Sequence, residues 1–192
     1  MVNDGDTSRD GPLLWAFDSL ERLSVGMAYL SGAALTLLSL FIAADVLGRG
    51  AGKFYSGATD EISGYVMTMT VTWALAYTLT IDKHVRVDLL LGSVPPSVRR
   101  FLDLIALALL TLFAALLAFN SWILALASWQ ISALSPSILQ IPLVIPQATM
   151  AAGFTMLAIQ GAVTVLVATL RPRVYEQRRS RESGAAPEQF DI

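Results

Sequence analysis

Long apolar runs alternate with short polar ones along this chain. Four stretches, roughly Ser24–Ala44, Ile62–Ile81, Phe101–Ala127 and Ala148–Leu170, are free of charge except at their ends. A hydrocarbon core of ~30 Å needs about 20 helical residues, and each stretch is long enough. The alternation in "TMTVTW" (Thr68, Thr70, Thr72) has a strand-like period. A lone strand would leave its backbone unpaired in lipid, whereas a helix satisfies its hydrogen bonds within one segment. The pattern therefore predicts an all-α integral membrane protein with four transmembrane helices, over residues 24–170.

The flanking segments have a different texture. Residues 1–23 form an N-terminal unit, with disorder expected over 1–11. In "PLLWAFDSLERL", Leu13, Leu14, Phe17, Leu20 and Leu23 recur at helical spacing against Asp18, Glu21 and Arg22. This segment either lies along the membrane surface as an interfacial amphipathic helix anchored by Trp15, or extends the first span. Residues 171–192 are basic and then Gly/Ala/Pro-rich, a composition expected to be partly disordered. The third loop, "SWQISALSPSILQIPLVIPQ", has no charge at all. Pro136, Pro142 and Pro146 interrupt any helix there, and Trp122 and Trp129 sit where an aromatic belt is expected. So apolar a loop is costly in water and contacts either lipid or another protein.

Composition agrees with the pattern: hydrophobic residues make up 55% and charged residues 15%. There is no cysteine, hence no disulfide framework or thiolate metal site, and a net charge of -2 gives no reason to expect nucleic acid. The acidic N-terminus has no basic region before an apolar core, so the first span is expected to remain in the mature protein. All thirteen Lys and Arg lie outside the four stretches. Eleven of them fall on the side shared by the two termini and the second loop. Basic residues are retained in the cytoplasm, which predicts both termini inside.

Ionisable groups crowd the second loop. "IDKHVRVDLL" holds the only histidine, His84, among Asp82, Lys83, Arg86 and Asp88. Charge gathers where a span first reaches the headgroups, so a solvated membrane boundary accounts for the cluster. Acid–base or metal chemistry at His84, or contact with a partner protein, are the alternatives. Asp45 and Arg49 stand at i and i+4 at the end of span one, where they can pair on one helix face. Glu61, at the start of span two, is near enough in sequence to join them. Either this is a weak exposed pair, or it clamps spans one and two and offers a docking contact. Small residues at Ala28, Gly32 and Thr36, and at Ala148/Ala152 and Ala158/Ala162, are candidates for close helix packing.

No Asp, Glu, Lys, Arg or His falls in the middle of a span. Ion-coupled transporters commonly carry such groups near the midplane. One histidine excludes a bis-histidine haem, and there is no phosphate loop or HExxH motif. Taken alone, the chain reads as a scaffold without a cofactor and not as an enzyme or a complete pump. A self-contained four-helix exporter remains as the alternative.

"DVLGRG" closing span one, Glu61 opening span two, "HVRVDLLLGSVPPSVRRFLD" and "ALSPSILQIPLVIPQATMAAG" together resemble the small membrane subunit of TRAP transporters, the DctQ-like family. The resemblance covers about residues 20–170. After Ile141-Pro142 this chain has Leu143 and Val144, where that family often has tryptophan. The resemblance implies a tripartite secondary transporter in the bacterial inner membrane. A periplasmic solute-binding protein delivers an organic acid, such as a C4-dicarboxylate, to a large membrane subunit holding the substrate and sodium sites. The small subunit braces the large one and supplies no catalytic residue. Its partners are thus the large subunit, the binding protein and lipid, with Asp45, Arg49, Glu61, His84, Arg86 and Asp88 as structural or partner-contact residues.

Overall fold

The computed structural model describes residues 7–52, 57–80, 96–137 and 139–170. Among the described residues the chain is helical: α1 (Thr7–Gly50), α2 (Thr59–Thr80), α3 (Pro96–Gln130) and α4 (Val144–Leu170). The one departure is an isolated bridge between Leu134 and Pro142 in the α3–α4 loop. Proline fixes two helix starts, because its missing N–H is harmless in a first turn. Pro96 opens α3, and Pro146 lies in the first turn of α4, which therefore begins four residues before Ala148.

α1, α3 and α4 are long and apolar enough to cross a membrane. α2, with 22 residues, is long enough but is interrupted by threonines. Thr68, Thr72 and Thr78 return their hydroxyls to carbonyls three or four residues back, which removes most of their cost in an apolar setting. α1 runs unbroken for 44 residues, about 66 Å. No boundary separates residues 12–23 from the first apolar stretch, so that segment extends the span as one helix.

The helices pack in the order α1–α2–α4–α3: α2 lies between α1 and α4, and α4 between α2 and α3. The buried core joins Ala76 and Leu79 of α2, Leu107 and Ala114 of α3, and Met156 and Leu157 of α4, with Leu20 and Met27 of α1 packed against it. α1 is held on a narrow seam of Ser24, Ser31, Leu38 and Asp45. These recur every seven residues, the spacing of a helix seated by one edge. α3 buries Leu107 and, seven residues on, Ala114, Ala118, Ser121, Ala125 and Ser128, the last five alternating four and three residues apart. Both flanking helices leave broad apolar faces outside the bundle.

Close approach happens on α4. A Cβ at Gly153 would sit 2.9 Å from the backbone carbon of Thr72, and one at Gly161 would collide with the side chain of Thr111. Two indole bonds add to this: Trp73 Nε1 donates to the Thr149 carbonyl at 2.9 Å, and Trp122 Nε1 to Thr155 Oγ1 at 3.0 Å. On α1, by contrast, Gly32 has open space around it among the described residues. Small residues recur on both helices, and Ala158 of the α4 set is packed against the core.

Candidate functional site

At one end of the bundle, where α1 finishes, α2 begins and the α3–α4 loop folds over, polar side chains bond to one another. α1 ends as Ala51 and Gly52 return their N–H groups to Leu47 and Arg49. Gly52 takes φ +64°, a left-handed conformation suited to a helix stop. Seven residues before Gly52 stands Asp45, with 0% of its surface exposed. Its Oδ2 accepts from Arg49 Nη2 at 3.0 Å and from Thr59 Oγ1 at 2.8 Å. Thr59 is the first residue of α2, so the carboxylate ties the end of one helix to the start of the next. Arg49, 57% exposed, adds a cation in the last turn of α1, where the helix dipole favours it.

Glu61 forms a second tie. It lies in the first turn of α2, before the apolar stretch, where a negative charge is favoured. Tyr65 donates its hydroxyl to Oε1 at 2.8 Å, and Ser137 donates to Oε2. Ser137 belongs to the α3–α4 loop; its Oγ lies 2.9 Å from Ser135 Oγ and accepts from the Leu139 N–H at 3.1 Å. The loop closes on itself through Ser135 N–H to the Ile141 carbonyl and Leu143 N–H to the Ala133 carbonyl. Ser132 and Gln140 adopt positive φ at its two turns. Hydroxyl donation from Ser135 and Ser137, aided by Tyr65, pulls the Glu61 carboxyl below its ordinary pKa, and burial only partly opposes this.

The expected Asp45–Arg49 pair is therefore present, and Thr59 joins it unforeseen. Glu61 sits in the neighbouring tie, bonded to Tyr65 and Ser137. His84, Arg86 and Asp88 lie outside the described residues. The loop serines carried a usable signal, since an uncharged loop needs some polar anchor. Two polar side chains elsewhere also escaped notice. Gln160 of α4 is wholly buried, and neither end of its carboxamide has a partner among the described residues. Asn120 of α3 is exposed within a spanning helix.

The family of transporter components described as "Tripartite ATP-independent periplasmic transporters, DctQ component" matches residues 38–171. The chain belongs to the DctQ family. No curated protein and no solved structure matches it. The DctQ match runs from the last third of α1 through the end of α4, so it includes both ties. The polar end of this DctQ chain joins elements of the bundle through the Asp45 and Glu61 carboxylates. It fixes α1 to α2 and both to the loop that leads into α4.

Proposed function

We propose that this DctQ chain is the bracing subunit of a sodium-coupled, binding-protein-dependent importer of an organic acid such as a C4-dicarboxylate. In this reading all four helices span the bacterial inner membrane, with both termini in the cytoplasm and the tied end in the periplasm. Asp45, Arg49 and Glu61 stiffen that face near the docked binding protein. His84, Arg86 and Asp88 hold the cytoplasmic loop against headgroups or the large subunit. Residues 1–23 and 171–192 are cytoplasmic flanks.

Membership in a family of transporter components carries the reading. The position of the carboxylates supports the bracing role: Asp45, Asp60, Glu61 and Asp103 stand at the ends of the apolar stretches, leaving mid-bilayer ion coordination to another chain. Reconstitution tests it. Liposomes holding the chain and the large subunit, with binding protein added, should accumulate labelled C4-dicarboxylate under an inward sodium gradient and fail when any component is omitted. Solute movement by this chain alone would favour a self-contained exporter and overturn the proposal.

A further inference from the structure

The outward face of α3 is not uniformly apolar. Leu109, Phe113, Leu116 and Ile123 form an exposed stripe on the side away from α4, and Asn120 stands in its midst. Asn120 lies seven residues inside Ala127, about 10 Å of helix rise, and therefore within the hydrocarbon depth of the span. One N–H of its carboxamide donates to the Leu116 carbonyl at 2.8 Å. A carboxamide has a second N–H and an oxygen acceptor, and neither has a partner within the described chain. The exposed hydroxyls of α1 behave differently: Thr36 and Ser39 each return their single proton to their own helix, at 2.9 Å.

Acyl chains offer no donor or acceptor, so a half-satisfied carboxamide facing lipid is costly, whereas one facing another helix becomes a specific contact. We infer that the α3 stripe centred on Asn120 is the surface covered by a transmembrane helix of the large subunit, which presents a polar side chain at that depth. The inference rests on the reading of this chain as one subunit of a larger transporter. α3 is also placed for it: as the flanking helix it is buried on its α4 side alone.

The chain has no cysteine, so single cysteines can be introduced in the full-length protein without further change. Leu116→Cys and Ile123→Cys, each co-produced with the large subunit and modified with a benzophenone maleimide in native membranes, should give photo-adducts at the combined mass of the two subunits. Asn120→Leu should lower the large subunit recovered with this chain at least threefold, while Asn120→Gln restores most of it. The thermal midpoint of the isolated chain should not fall in either variant. Adducts to phospholipid alone, or to a second copy of this chain, would overturn the assignment of the face. If the unmodified chain recovers no large subunit, the subunit reading itself fails, and this inference with it.

Discussion

Ser137 and Glu61, 76 residues apart, are joined by a hydroxyl-to-carboxylate bond that pins the α3–α4 loop to the first turn of α2. The loop has no charge of its own, so its order depends on a carboxylate supplied by a different helix. Of its two left-handed residues, Gln140 lies between Ser137 and the bridge residue Pro142, and Ser132 lies two residues before the bridge residue Leu134.

Acid should loosen that loop. The Glu61 pKa is lowered in the folded protein from an ordinary value of 4.5. A depressed carboxylate contributes stability above its unfolded pKa and loses it as pH falls through the folded value. Amide hydrogen exchange at Ser135, Ser137 and Leu139 should therefore stay slow from neutral pH down to about 4.5 and accelerate, beyond the intrinsic rate change, at lower pH. Glu61→Gln should exchange faster already at neutral pH and show no acid step. An acid step that persists in Glu61→Gln would assign the titration to another group.

Thr59→Val tests the other tie. Valine keeps the shape but removes the donor to a fully buried carboxylate. A hydrogen bond to a charged group is worth about 1.5–3 kcal/mol, and the loss should appear in full because water does not reach Asp45. Unfolding in detergent should show destabilisation of that order. The double variant Asp45→Asn/Thr59→Val should be less destabilised than the sum of the single changes.

Glycine substitutions should sort by what each glycine faces. Gly153→Ala brings a methyl group against the Thr72 backbone and should cost about 1–3 kcal/mol, with no full rescue by Thr72→Ala. The nearest atoms to a methyl group in Gly161→Ala are those of the Thr111 side chain, so Thr111→Ala should restore much of the loss. Gly32→Ala meets nothing and should be neutral, or stabilising by up to about 1 kcal/mol, as expected for a helix interior. Thermal unfolding of the three variants and the two pairs decides between these outcomes.

Arg86→Ala and Asp88→Ala are expected to reduce the yield of complex with the large subunit more than they change the affinity for transported acid. Recovery of the complex and the concentration dependence of uptake, measured on one preparation, separate the two effects. Intact assembly with altered affinity would remove these residues from a bracing role.

Much of the fold was legible because lipid leaves few choices. A charge-free run of 20 residues in lipid must be a helix, and the i, i+4 spacing of Asp45 and Arg49 allowed the pairing that the structure shows. Less legible was anything that depends on which helix faces which. Thr59 as a partner of Asp45, the serines at Glu61 and the packing of Gly153 on Thr72 all join residues far apart in sequence. Periodicity within one helix holds no information about them. The continuity of α1 was equally hidden, because an amphipathic pattern followed by an apolar one reads the same whether or not a bend separates them.

Gln160 offers a last test of the division of labour. Its carboxamide is enclosed in the middle of α4, beside Gly161 and among Met156, Leu157 and Thr164, with no partner among the described residues for its nitrogen or its oxygen. Each buried group left unsatisfied costs about 1–3 kcal/mol, whereas an apolar side chain of similar size at the same place is neutral or favourable. Gln160→Leu should therefore raise the thermal midpoint of the isolated chain, and Gln160→Ala should raise it less because it leaves a cavity. A brace needs no polar group at this depth, so the complex containing Gln160→Leu should take up solute at the rate of the unmodified complex. Retained assembly with lost uptake would instead place Gln160, and with it this chain, in the transport step itself.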